Sequence, residues 1–257
     1  MQLDVHRILR ETFVARVEHL ANVGSTNDRA AECAAQRDGE LPLLVVADRQ
    51  TAGRGRGSNR WWTGADALAF SLLVDAGTVG AERGPAPLVA LASAIAVVDA
   101  IAPLLPDHAV GIHWPNDVLA AGRKVAGILI EALPDRRHVI GIGLNTNNTM
   151  ADAPTELRDT AATLRDLAWH VFDQTSVLID LLDRLEAEFS RLRDDPASVA
   201  ERADAMCLQR GHALTLQWGH RTVTGPCHGI AADGAIRIET SAGIESFCSG
   251  VVLASPG

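Results

Sequence analysis

The 257-residue chain has few cysteines and no excess of positive charge, and it lacks several signatures that would name a chemistry outright. Its four cysteines, Cys33, Cys207, Cys227 and Cys248, form no CxxC pair and no tight framework. That usage suits reduced thiols rather than a disulfide scaffold. Cys207, His212, Cys227 and His228 lie close in sequence, but their spacings fit no standard zinc pattern, and no protein metal site is expected. The nine histidines include no HExxH, and neither GxSxG nor GxxxxGKS/T occurs. Zincin, α/β-hydrolase and P-loop chemistries therefore lack their marks. A formal net charge of −9 argues against a nucleic-acid partner gripped by a generally basic surface.

Long apolar runs are scarce as well. The N-terminus has no continuous apolar core of the signal-peptide kind. The stretch from Leu88 to Leu105 is alanine-rich, carries Asp99, and meets Pro103 and Pro106 at its end. A spanning helix needs roughly 20 apolar residues, so this reads as a buried core helix. The expectation is a cytoplasmic protein with no membrane partner. With 47% hydrophobic and 21% charged residues, the chain has ample material for a packed core.

Patterning then sets the architecture. Ser25-Thr26-Asn27-Asp28 leads an alanine-rich run and marks a helix start. Leu43–Ala47, Ala67–Val74, Val110–His113, Lys124–Ala132 and His138–Leu144 read as strands. Thr175 or Ser176 caps a helix in which Leu178, Leu181, Leu182, Leu185, Phe189 and Leu192 recur at helical spacing. After about residue 205 the texture changes to short alternating strands broken by glycine turns: Leu214–Gln217, Thr222–Thr224, Ala235–Glu239 and Ile244–Phe247. The pattern describes an α/β domain over 1–205 followed by a small β-barrel over 206–257. There is no room before Ser25 for a complete helix-turn-helix domain.

Three segments carry candidate chemistry. Loop 51–60 reads Thr-Ala-Gly-Arg-Gly-Arg-Gly-Ser-Asn-Arg, with Trp61-Trp62 behind it. Alternating glycines let backbone N–H groups approach a ligand, and the arginines offer permanent forks for phosphate or carboxylate. Either tryptophan can cover an adenine or another flat group. A solvated basic turn is the plain alternative. His113-Trp114-Pro115-Asn116-Asp117 presents an amide and a carboxylate where a strand ends, which ordinary turn chemistry would also do. In Lys124-Val125-Ala126-Gly127-Ile128-Leu129-Ile130-Glu131, the lysine can point inward while Gly127 leaves room for a ligand. It can also be a lysine guarding a sheet edge. Ile140-Gly141-Ile142-Gly143-Leu144-Asn145 adds a strand weakened by two glycines.

Taken together and in this order, Ser-Thr-Asn at 25, Gln50 before Gly-Arg-Gly-Arg, Trp-Pro-Asn-Asp at 114, Lys-x-x-Gly-Ile-Leu-x-Glu at 124 and Gly-x-Gly-x-Asn at 141 resemble the biotin–protein ligases over roughly residues 20–250. The resemblance implies a mixed β-sheet flanked by helices, as in class II aminoacyl-tRNA synthetases, with an SH3-like barrel after it. It also implies a two-step reaction: biotin and MgATP give biotinyl-5′-adenylate, and a carrier-protein lysine then takes the biotinyl group.

On that resemblance, Ser25, Thr26, Asn27, Gln50, Arg54, Gly55, Arg56, Lys124 and Gly127 are expected at biotin. Arg54, Arg56, Asn59, Trp61, Asn116 and Asn145 are expected around ATP, while Arg56, Lys124 and Asp117 carry catalysis. Loop 51–60 is the expected lid. The partner is a biotin carboxyl-carrier protein or domain, and the enzyme is a monomer or homodimer. Two departures stand out. Gly57-Ser58-Asn59 replaces a common Arg-Gly-Arg continuation, and His113 stands where a lysine usually precedes Trp-Pro-Asn-Asp, so charge there becomes partial and pH-dependent. The alternatives are a lipoate–protein ligase and a biotin-sensing transcriptional regulator, the latter disfavoured without a DNA-binding domain.

Overall fold

The computed structural model describes residues 3–36, 39–80 and 86–254. Asp4 caps the first helix, α1 (Val5–Glu11), its carboxylate accepting from Arg7 N. Strand β1 (Arg16–Leu20) precedes α2 (Thr26–Gln36), which crosses to the fully buried β2 (Leu43–Ala47). β1 and β2 are parallel, as a strand–helix–strand crossover requires. β3 (Leu68–Asp75) returns antiparallel to β2, and α3 (Ala86–Ile101) follows. Next come β4 (Val110–His113), β5 (Asp117–Ala120), β6 (Arg123–Ala132) and β7 (Arg137–Leu144), then α4 (Leu164–Ala168), α5 (Gln174–Asp194) and α6 (Pro196–Ala205). The seven strands lie in the order β1-β2-β3-β7-β6-β5-β4, a mixed sheet as expected.

Side-chain alternation splits this sheet into two faces. Leu68, Phe70, Leu72 and Val74 of β3 share one core with Ile140, Ile142 and Leu144 of β7 and with α3 and α5. On the other face Leu43, Val45, Leu73 and Val139 pack under Ala30, Cys33 and Ala34 of α2. α3 is apolar on every side but that of Asp99, which pairs with Arg202 of α6, and burial against α5, α6 and the sheet explains that composition. Among the described residues it is the one helix long and apolar enough to cross a membrane, yet most of it is inside the protein, as the core-helix reading expects.

Some boundaries differ from the sequence reading. Asp173, not Thr175 or Ser176, caps α5: its extended backbone places the carboxylate on Thr175 N, while Thr175 and Ser176 lie in the first turn. Asp117 is not a turn end but the first residue of β5, because Trp114–Asp117 folds back into a hairpin that pairs β5 with β4 and β6. The short elements α1, β1, α4 and α6 carry too little periodicity to stand out.

The C-terminal strands are β8 (Ala213–Trp218), β9 (Arg221–Ile230), β10 (Ile236–Thr240), β11 (Gly243–Phe247) and β12 (Val251–Ala254), in the order β11-β10-β9-β8-β12. β9 pairs with β8 along its first half and with β10 along its second, so one long strand joins two halves of a small barrel-like unit. Leu214, Leu216, Ile236 and Ile238 of that unit belong to the same core as the main domain. The unit also grips the site: Trp114 is buried, its Nε1 donates to Gly234 O at 3.0 Å, and its backbone N and O are bound by the Gln209 amide at 2.9 and 3.0 Å.

Phe189 of α5 is wholly buried in this core. Phe189→Ala should cost about 3–5 kcal/mol of stability by lost burial and a residual cavity. Urea titration of the two proteins measures it, and a loss below about 1 kcal/mol would place Phe189 at a site that collapses freely.

Candidate active site

The motif segments meet at one cleft with a cavity volume of about 350 Å³, the scale of a small-molecule site. Its lining draws on the first turn of α2, loop 51–60, the β4–β5 hairpin, and the facing strands β6 and β7.

The floor is polar and tightly bonded. Ser25, Thr26 and Asn27 are buried at the start of α2. Gln50 Oε1 accepts from Thr26 N at 2.8 Å and from Thr26 Oγ1 at 3.1 Å, so this side chain satisfies a free helix-start amide. Gln50 Nε2 donates to Thr63 Oγ1 at 3.1 Å. Ser71 Oγ lies 2.8 Å from Thr26 Oγ1 and 2.6 Å from Asn27 Oδ1. Asn27 Nδ2 donates to Glu131 Oε2 at 2.8 Å. Asn27 occupies the space where Gly141 has no side chain: a Cβ there would lie 2.0 Å from Asn27 Oδ1.

One wall is Trp61. Its indole lies against Gly143, where a Cβ would come within 2.2 Å of Trp61 Cε2, and Gly127 is directly opposite Gly143 in the β6–β7 register. Lys124 Nζ stands 5.7 Å from the centre of the Trp61 ring, a cation–π placement. The same ammonium is 2.7 Å from Asp117 Oδ1. Lys124 therefore points into the cleft and is not an edge guard. Asn116 Nδ2 donates to Ile128 O at 2.8 Å, and Ile128 N to Asn116 O at 2.8 Å, pinning the hairpin to β6.

Loop 51–60 folds as a tight excursion: Gly55 N donates to Asn59 O, Asn59 N to Arg56 O, and Trp61 N to Gly53 O. Gly57 turns the tip with φ +65°. Arg54 is held by two carboxylates, with Nη1 2.6 Å from Asp28 Oδ1 and Nη2 2.8 Å from Glu131 Oε1. Arg56 is half-buried and, among the described residues, forms no ion pair. Burial lowers its pKa, with the Asp117 charge opposing. A guanidinium stays protonated regardless, so the cleft holds a partly desolvated cation near Asp117 but not in an ion pair with it.

Ser25, Thr26, Asn27, Gln50, Arg54, Gly55, Arg56, Asn59, Trp61, Asn116, Asp117, Lys124 and Gly127 all line the cleft. Asn145 does not. Its Nδ2 donates to Ala162 O at 3.1 Å and its Oδ1 accepts from Asn148 Nδ2 at 3.2 Å, so it braces the chain behind Lys124. The sequence reading gave no ligand role to Arg60, Phe70, Leu129 or the Gly250-Val251-Val252 segment, which also line it. The last of these begins β12, four residues whose sequence gives no functional signal.

A model of the biotin/lipoate A/B protein ligase family matches residues 20–147. A biotin–[acetyl-CoA-carboxylase] ligase of Mycobacterium tuberculosis is 34% identical over 233 residues, 87% of this chain and 83% of that protein. The chain belongs to the biotin/lipoate A/B protein ligase family. The bifunctional ligase/repressor BirA of Bacillus subtilis is 30% identical, with 89% of this chain and 71% of that protein covered. Among solved structures, the biotin protein ligase from Aquifex aeolicus in complex with biotin and ATP superposes with a TM-score of 0.82 at 27% identity, covering 95% of this chain and 100% of that one. The family match spans every motif segment that lines the cleft, whereas Gly250–Val252 lie outside it.

His113 lines the same cleft. Burial pushes its pKa down, the Asp117 charge pulls it up, and the Lys124 charge lowers it further. In the unfolded chain it takes a proton near the ordinary value of about 6.5. The unfolded state thus binds more protons as pH falls through that value, and folding loses stability there. His113→Gln should remove part of this loss. Between about pH 7.5 and 5.5 the parent's thermal midpoint should fall further than the variant's; equal falls would mean that folded His113 protonates freely.

Gly143→Ala should expel the Trp61 indole, since overpacking of this kind costs about 1–3 kcal/mol and the ring gives way more easily than the strand. A red shift in tryptophan emission with weaker ligand binding is expected. An unshifted spectrum would show that the wall is not built on this glycine.

Proposed function

We propose that this chain is a biotin–protein ligase that activates biotin with ATP and joins it to a lysine of a biotin carrier protein. The observation that carries the reading is one cleft in which Arg56 and Lys124 stand over the polar floor built from Ser25, Thr26, Asn27 and Gln50. In the first step the biotin carboxylate attacks the α-phosphorus of ATP, and pyrophosphate leaves. Two anions must meet, so cations and fixed orientation lower the barrier. Arg56 and Lys124 supply the charge, and Asp117 keeps the Lys124 ammonium directed into the cleft. In the second step a neutral carrier lysine attacks the acyl carbon, AMP leaves, and the lysine gives up its proton.

In this reading Ser25, Thr26, Gln50 and Gly127 meet biotin, with Asn27 shaping the floor. Asn59, Trp61 and Asn116 border the nucleotide, and Gly55 lies on the biotin side. Arg54 enters through its hold on the loop, and Asn145 through the segment it braces. Mg²⁺ comes with ATP as part of the substrate. Asp117, the one carboxylate in the cleft lining, fits a cation that keeps its waters and phosphates. The work is proposed to take place in the cytoplasm. Residues 1–205 would carry the chemistry, and 206–257 would complete the cleft through β12.

Biotin-dependent exchange of pyrophosphate into ATP tests the assignment, and exchange that runs equally well without biotin would overturn it. Lipoate should not replace biotin. Lys124→Ala should slow adenylate formation at little cost to folding, by about 1.5–3 kcal/mol for one charge-assisted contact. Near-parental exchange in that variant would remove Lys124 from the mechanism.

A further inference from the structure

Glu131 closes the Lys-x-x-Gly-Ile-Leu-x-Glu motif, yet nothing in the reaction above uses it. Its side chain holds two parts of the site at once. Oε2 accepts from Asn27 Nδ2 at 2.8 Å, and the two carboxylate oxygens take Arg54 Nη2 at 2.8 Å and Nη1 at 3.1 Å. Asn27 belongs to the floor of the cleft, against Gly141 and Ser71. Arg54 belongs to the loop that arches over it, and its only other carboxylate among the described residues is Asp28, the neighbour of Asn27 on α2. The loop is thus tied to the floor through one carboxylate on β6 and one on α2.

We infer that Glu131 is a positioning residue that couples the cleft floor to the closed state of loop 51–60, and so sets how long the activated intermediate is retained. The inference rests on the biotin–ligase reading. A ligand that seats Asn27 also fixes Glu131, because both share one hydrogen bond; Glu131 in turn offers Arg54 a paired, oriented acceptor. When the tie is broken, Arg54 keeps Asp28 alone, which holds it at a single nitrogen. The loop then opens more often, and the adenylate leaves or meets water before a carrier lysine arrives. Glu131 touches no reacting atom in this scheme, so its loss changes retention and not the making of the adenylate.

The experiment loads the full-length protein with biotin and ATP, then follows release of the adenylate after a chase with unlabelled biotin. Glu131→Gln keeps an acceptor for Asn27 and loses the charge facing Arg54. The Arg54 and Glu131 side chains are 43% and 28% exposed, so a pair worth at most about 1 kcal/mol gives an about three- to fivefold faster release. Biotin-dependent pyrophosphate exchange should persist in the variant. Adding Glu131→Gln to Arg54→Gln should speed release no further, because without Arg54 the carboxylate has no partner on the loop to hold. Raising salt from about 0.1 to 1 M should speed release from the parent more than from Glu131→Gln, since the variant keeps only the Arg54–Asp28 pair to be screened. A merely structural Glu131 would give additive losses, a lowered thermal midpoint and no difference in salt response. Release at the parental rate from Glu131→Gln overturns the inference while exchange stands. Absence of biotin-dependent exchange in the parent overturns the ligase reading instead.

Discussion

The cleft depends on a strip of missing side chains. Gly127 and Gly143 face each other across β6 and β7, and Gly141 lies one step further along β7 on the same face. On a sheet covered by helices such positions would ordinarily carry β-branched residues. Here their absence lets the Trp61 indole lie against Gly143 and lets Asn27 descend onto Gly141. Both groups would be excluded by a single methyl. The loop, the helix start and the sheet can converge because the strands between them have nothing to put in the way.

Convergence brings charges together, and the site handles them unequally. Lys124 is matched by Asp117, and Arg54 by Asp28 and Glu131. Arg56 is left beside them, half-buried and without an ion pair among the described residues. Water solvates a half-buried guanidinium poorly, so an incoming anion gains more there than at the two matched cations. The matched pairs serve a different end. They fix the direction of Lys124 and the base of the loop before ligand arrives, which lowers the reorganisation left for the chemical step.

Much of this was legible in the sequence. The buried strand Leu43–Ala47 needed only its apolar run, and the α3 helix its composition and the prolines that stop it. The motif segments were legible because glycine, arginine and Trp-Pro-Asn-Asp sit at spacings that ordinary turns do not repeat in that order. What stayed hidden depends on distant residues meeting. Ser71 looks like any small residue in a strand, and only the β3–β7 register sets it under Asn27. Arg54 reads as a ligand-seeking cation until Asp28 and Glu131 are seen on either side of it. Asn145 reads as a site residue because it ends a glycine strand, yet its amide is committed to Ala162 and Asn148.

The C-terminal unit shows why the site cannot be confined to the family-matched segment. Gln209 binds both backbone groups of Trp114, and Gly234 takes the indole N–H. Those bonds hold the strand end from which Asn116 and Asp117 project. β12 then returns to the cleft, where Gly250–Val252 form part of its lining. An appended barrel that merely packed alongside would need neither contact. Because Asp117 holds Lys124 and shares its hairpin with Trp114, the direction of the Lys124 ammonium is set partly by residues about a hundred positions further along the chain. The Gln209 and Gly234 bonds therefore link the barrel to the cleft by a path separate from the core the two parts share.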